Sequence, residues 1–300
     1  MKLITKLTAL LLLFALLCAC AAAEERVSVV CTDFPCYDFA RQVAGGHADV
    51  TMLIKPGAEV HSYDPTPADI IDIGEADLFV CIGGESDAWA EGILSGLGGD
   101  APETLRLMGC VTGLIEEPEE DRDGPEYDEH IWTSPKNAMA MVSAVADALE
   151  KADAANAGAY RENAEEYIAQ IAQIDAEIAG VVGTAERRVL VFADRFPFLY
   201  FAREYGLDYL AAFPSCTADT EPSAQTVMAL IDRVVRDKIP AVYTIELSTK
   251  AIARTIAEET GAEILTMQSL QTVTQEDFDA GECYVSIMRR NIEALRKGLN

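Results

Sequence analysis

Two histidines in this chain stand in loops among residues that suit a divalent cation. PGAEVHSYDPTP, residues 56–67, places His61 between a proline-glycine turn and a second proline turn, with Glu59 and Asp64 close by. YDEHIWTSP, residues 127–135, carries His130. Further on, Asp194 follows VFA, Glu246 ends AVYTIE and Gln268 follows ILTM, each at the close of a short apolar run. Imidazole suits zinc and its neighbours, whereas carboxylates suit harder ions. Two histidines with one or two carboxylates therefore fit a borderline or moderately hard divalent metal. An isolated loop histidine is ordinarily only a solvated polar residue. The reading depends on whether the fold brings these residues together.

Short β-branched or apolar runs alternate with helical patterns, which is the signature of βα units around mainly parallel sheets. In the first half they are 27–31, 50–54, 78–82 and 105–108; in the second, 189–193, 209–213, 241–245 and 263–267. Two sets of four predict an α/β fold of two four-stranded, mainly parallel βα lobes. Between them, residues 135–180 are rich in alanine and glutamate, with apolar residues at helical spacing. Gly158 is the one weak point before Gly180. This predicts one long linking helix, with a first lobe over 20–134 and a second over 181–300. In open α/β sheets ligands bind beyond the carboxyl ends of the strands. If the lobes face each other, all five candidate side chains point into one cleft.

Lys2 and Lys6 precede an apolar run too short to span a bilayer, so residues 1–19 read as an export signal. Leu17-Cys18-Ala19-Cys20 resembles the lipobox of bacterial lipoproteins, which makes Cys20 the expected lipidation site; an ordinary signal cut near Ala21 to Ala23 is the alternative. Losing Lys2 and Lys6 takes the net charge from −27 to −29, which excludes nucleic acid as a partner. Six cysteines remain, at spacings that form no zinc ribbon and no small-scaffold framework. Cys81 reads as a buried thiol, and pairing of Cys31 with Cys36 stays open. Residues 116–129 hold nine acids and one arginine, and read as a solvated mobile loop.

These features together resemble the substrate-binding lipoproteins of zinc and manganese ABC transporters, the helical-backbone metal receptors. PGAEVHSYDPTP, GGESDAW, EHIWTSPKNA, FLYFAREYGL and TEPSA are similar to that family's motifs, and the likeness covers nearly the whole mature chain. The resemblance implies a monomeric receptor that captures zinc, with manganese as the alternative, and hands it to an ABC permease. It implies His61 and His130 as ligands. The second lobe departs from the pattern: Arg195 stands where zinc members have histidine, and Gln268 where the family has aspartate. A guanidinium cannot be a ligand. Asp194 or Glu246 is then expected to complete the site, with Arg195 turned to an acid; alternatively Asp194 and Arg195 pair with each other. Glu59 and Gln268 are candidates for supporting roles.

A different class of function stays in view. GESDA, residues 84–88, loosely imitates a nucleophile elbow but lacks the second glycine. Two histidines and a carboxylate around zinc with an open position is also a catalytic design, so a zinc-dependent hydrolase is one alternative, and a metal-independent surface adhesin another.

Overall fold

A computed structural model describes residues 26–116, 127–213 and 222–300. Cys20, Cys216 and most of the acidic stretch lie outside the described residues. The first lobe opens with β1 (Val27–Cys31), α1 (Phe34–Ala44) and β2 (Ala48–Met52). It continues through α2 (Pro67–Gly74), β3 (Leu78–Cys81), α3 (Ala88–Leu97) and β4 (Glu103–Arg106). All pairings are parallel, in the order β2-β1-β3-β4. LFVC of β3 is buried at every residue, as a central strand covered on both faces must be; the half-exposed ETLR of β4 lies at an edge.

Helices α4 (Pro135–Ala152) and α5 (Ala157–Thr184) follow. The helical stretch begins at Pro135 as expected, with Ser134 as its cap, but it is two helices packed on each other. The break falls at 153–156, ahead of Gly158. There the Asp153 carboxylate accepts from Asn156 Nδ2 at 2.7 Å and the Tyr160 hydroxyl at 2.8 Å, a side-chain network that competes with a continuous helix. The long linking helix is thus α5 alone, 28 residues or about 42 Å at 1.5 Å per residue.

The second lobe repeats the first. Its elements are β5 (Val189–Phe192), α6 (Leu199–Tyr205), β6 (Asp208–Ala211), α7 (Ala224–Asp237), β7 (Ala241–Thr244), α8 (Ala251–Thr260), β8 (Glu263–Thr266), α9 (Gln275–Asp279) and α10 (Tyr284–Gly298). Its sheet, also all parallel, has the order β6-β5-β7-β8. In each sheet the connection direction reverses beside the lobe's first strand, the place where open α/β sheets leave a crevice. Asp194 and Glu246 flank that reversal in the second lobe.

One continuous core runs from the first sheet through α4 and α5 to the second. A buried carboxylate pins the ends of this joint. Asp38 on α1 accepts from the Tyr167 hydroxyl of α5 at 2.6 Å, the Tyr284 N–H of α10 at 2.8 Å and Arg41 Nε at 2.9 Å. Such a group is stabilising only when every partner is present. Cys31, Cys36 and Cys81 are buried free thiols, which answers the open question about the first two.

Candidate metal centre

His61 is held by the local chemistry of its loop. Gly57, at φ 79°, takes the left-handed turn that glycine allows, and its N–H donates to Thr272 Oγ1 of the second lobe at 3.1 Å. Downstream, Thr66 and Asp69 form a capping box at the start of α2, with Pro67 in its first turn. The Tyr63 hydroxyl donates to Asp69 Oδ2 at 2.8 Å, and its ring meets Trp89 edge-on. The motif is therefore a turn, a histidine and a tied helix start.

His130 is held from both lobes. It precedes the 3-10 turn Ile131–Thr133. The Tyr200 hydroxyl of α6 donates to the Asp128 carbonyl at 2.7 Å, and Trp132 Nε1 donates to the Ser269 carbonyl at 2.8 Å. The two imidazole rings lie 5.5 Å apart, centre to centre.

Glu129 joins them. Donor atoms of His61, Glu129 and His130 all lie within 4.8 Å of one another, the one group of this kind among the described residues. Sequence reading put Glu129 and Asp128 at the end of a solvated acidic loop. Both are instead buried, at 6% and 2% exposure, because the chain has already entered the interlobe core at this point. The available signal was their position immediately before His130, hidden in a run of seven other acids.

The hydrogen bonds assign the imidazole nitrogens. Ser86 Oγ donates to Glu129 Oε1, and Ser86 N–H donates to Glu129 Oε2 at 3.0 Å. A serine hydroxyl has one proton, so toward His61 Nδ1, 2.8 Å away, Ser86 Oγ acts as acceptor. His61 Nδ1 is also 3.2 Å from Glu129 Oε1. The proton on Nδ1 leaves a lone pair on His61 Nε2, which is buried and has no hydrogen-bond partner. On the other ring, Nδ1 lies 3.3 Å from Asp128 Oδ2, so Nε2 is the nitrogen through which His130 can bind a cation. Burial alone would raise the Glu129 carboxyl, but the His61 bond, the His130 charge and the Ser86 hydroxyl hold it down at about 2. It is ionised at neutral pH. Ser86, the serine of the elbow-like GESDA, serves as a relay in this support.

Gly84 makes room for the arrangement. A Cβ there would lie 2.6 Å from the Cβ of Glu129. Behind the turn, Asp87 accepts from Ile82 N–H at 2.7 Å and Gly83 N–H at 3.0 Å, which fixes the path of the chain from β3 to Ser86.

Across the cleft, Asp194 and Glu246 share a cavity of about 500 Å³ with His61, but neither belongs to the compact group of three. Glu246 has both oxygens engaged by Ser269, Oε2 by the N–H at 2.6 Å and Oε1 by the hydroxyl. Burial raises its pKa against those bonds, and the charge of Asp194 adds to the rise. Asp194 accepts from Arg195 N–H through Oδ1 at 2.9 Å, while its Oδ2 is buried without a hydrogen-bond partner. Arg195 does turn to an acid, namely Glu59 of the first lobe, Nη1 to Oε2 at 3.1 Å. Glu59 also accepts from His61 N–H at 3.4 Å. Gln268 is tied by its backbone to Asn291, through N–H to Oδ1 and from Nδ2 to its carbonyl, both at 2.8 Å.

Residues 29–298 match the family model for zinc-uptake complex component A, periplasmic. The zinc-binding lipoprotein AdcA of Streptococcus pneumoniae is 31% identical over 283 residues, 92% of this chain and 56% of that protein. The present chain thus spans little more than half of that relative. The high-affinity zinc uptake system protein ZnuA of Bacillus subtilis is 30% identical over 285 residues, 92% of this chain and 88% of that one. Among solved structures, the Zn(II)-bound ZnuA-like domain of S. pneumoniae AdcA superposes with a TM-score of 0.78 at 30% identity, covering 91% of this chain and 99% of that domain.

Proposed function

The chain belongs to the zinc-uptake complex component A family, and from that premise we propose that it is an exported receptor whose cargo is a divalent cation, zinc before manganese, passed on to an ABC permease. The observation that carries this reading is the pair of imidazoles, His130 buried and His61 partly so, each with Nδ1 supported by an acidic residue, beside an ionised Glu129. Supports of this kind fix ring orientation and make the metal-facing nitrogen more basic. His61 and His130 hold the cation through Nε2, and Glu129 braces His61 from the opposite edge of its ring. Nitrogen donors favour zinc over manganese, and the carboxylate narrows the gap.

Of the two second-lobe carboxylates expected to take part, Asp194 is the one with an oxygen to offer. It faces the cavity shared with His61 and adds negative charge there, whereas Glu246 organises Ser269. Asp194→Ala therefore weakens zinc binding more than Glu246→Ala. The protein works as a monomer anchored through a lipid on Cys20, and Cys20→Ala releases it from membranes; unchanged membrane retention would count against the anchor.

Zinc titration in a competing chelator tests the central claim. His61→Ala and His130→Ala should each cost more than the roughly 10–100-fold typical of a supporting residue. The two losses are not additive, since either one already breaks the shared sphere. Zinc at a hundred times its dissociation constant should stabilise the wild type by about 2.7 kcal/mol. Melting that ignores zinc, manganese and iron alike would remove the receptor reading.

A further inference from the structure

The cavity beside His61 is far larger than a bare cation needs. It measures about 500 Å³, within the range of roughly 300–1,000 Å³ typical of small-molecule sites. One wall carries His61. The facing wall carries, side by side, a hydrogen-bond acceptor with nothing to accept and a guanidinium. Asp194 Oδ2 is buried without a partner, and a carboxylate oxygen in that state calls for a donor. Among the described residues, Arg195 reaches Glu59 through Nη1 and has no other side-chain partner. A guanidinium offers five N–H donors in a planar fork, so Nε and Nη2 remain available for a second carboxylate. Glu59 is half exposed and can yield its place.

From these observations we infer that Asp194 and Arg195 form a subsite for a small α-amino-acid chelator, which enters with the metal and completes its coordination. This rests on the metal-receptor reading above. The first lobe supplies the two imidazole Nε2 atoms, and among the described residues no second-lobe atom joins the compact group around them. A bidentate or tridentate amino acid fills the remaining positions with its amino nitrogen and side-chain donor. Its carboxylate meets Arg195, and its metal-bound amine, which still carries N–H groups, donates to Asp194 Oδ2. The pairing uses both unusual features of the second lobe: the arginine supplies the positive charge that a carboxylate requires in an otherwise acidic cleft, and the aspartate supplies the acceptor.

L-histidine with zinc is the probe, applied to the full mature chain by calorimetry and native mass spectrometry. Wild-type protein loaded with one zinc should take up one histidine at least about tenfold more tightly than metal-free protein, and a complex of protein, zinc and histidine should be observed. Arg195→Ala should lower that histidine affinity by about tenfold or more, the loss expected when a hydrogen-bonded charge pair is broken; the effect on zinc alone should be far smaller. Histamine, which lacks the carboxylate, should bind the zinc-loaded wild type and the variant equally. Histidine that merely strips zinc from wild type and variant alike, with no ternary species, would overturn this inference and leave the receptor reading standing. Failure to bind zinc with or without histidine would overturn both.

Discussion

Ser86 Oγ lies 2.8 Å from His61 Nδ1, although 25 residues separate them in the chain. The hydroxyl gives its proton to Glu129, and so fixes the imidazole proton on Nδ1. Ser86→Ala removes the relay but leaves Glu129 Oε1 at 3.2 Å to take its place. The expected loss of zinc affinity is about tenfold, at the low end for a supporting residue. Asp128→Ala removes the carboxylate 3.3 Å from His130 Nδ1 and should cost closer to a hundredfold. Competition titrations on the two variants measure the difference, and a larger effect from Ser86→Ala would mean that Glu129 does not support His61 directly.

Gly84 is required for space, since its φ of −92° is open to any residue. A methyl group there meets the Cβ of Glu129, a point too close to the backbone to swing aside. Gly84→Ala should displace Glu129 and weaken zinc binding by about tenfold or more, while Gly57→Ala acts through backbone strain at its positive φ. A Gly84→Ala protein with wild-type zinc affinity would show that Glu129 can move without consequence.

The metal-free protein should lose stability as pH rises from about 4 to 8, in part through Asp33. Burial, then the charge of Asp87, pushes the Asp33 carboxyl up to about 8, and Asp87 itself is raised to about 6. Unfolded aspartate titrates near 3.9. Within that window the folded state holds protons that the unfolded state has released, so stability falls with rising pH. Asp33→Asn keeps an acceptor for the Cys36 N–H that caps α1 but cannot ionise. Urea midpoints at pH 5, 6.5 and 8 should fall less steeply for the variant. Parallel slopes would mean that Asp33 is already charged in the native protein.

Much of this protein is written locally in its sequence. Strand-length apolar runs set the two lobes, because an apolar run in this alternation has to be buried between helices. The Pro56-Gly57 turn and the Thr66–Asp69 cap isolate His61, and a proline-started helix follows His130. Those signals need only neighbours in the chain. The position of the helix break was less legible, because it depends on Asp153 capturing Asn156 and Tyr160 in preference to continued helix.

The partners of each site residue were decided by the tertiary structure. Glu129 looked like one acid among nine until burial separated it from the rest. Asp194 and Glu246 looked equivalent at the ends of β5 and β7, and differ because Ser269, 23 residues beyond Glu246 and from another loop, engages only one of them. Arg195 found its acid in Glu59, 136 residues earlier. Hydrogen bonding and desolvation act over a few ångströms of space, and the order of residues along the chain does not encode which distant loops will be brought within that distance.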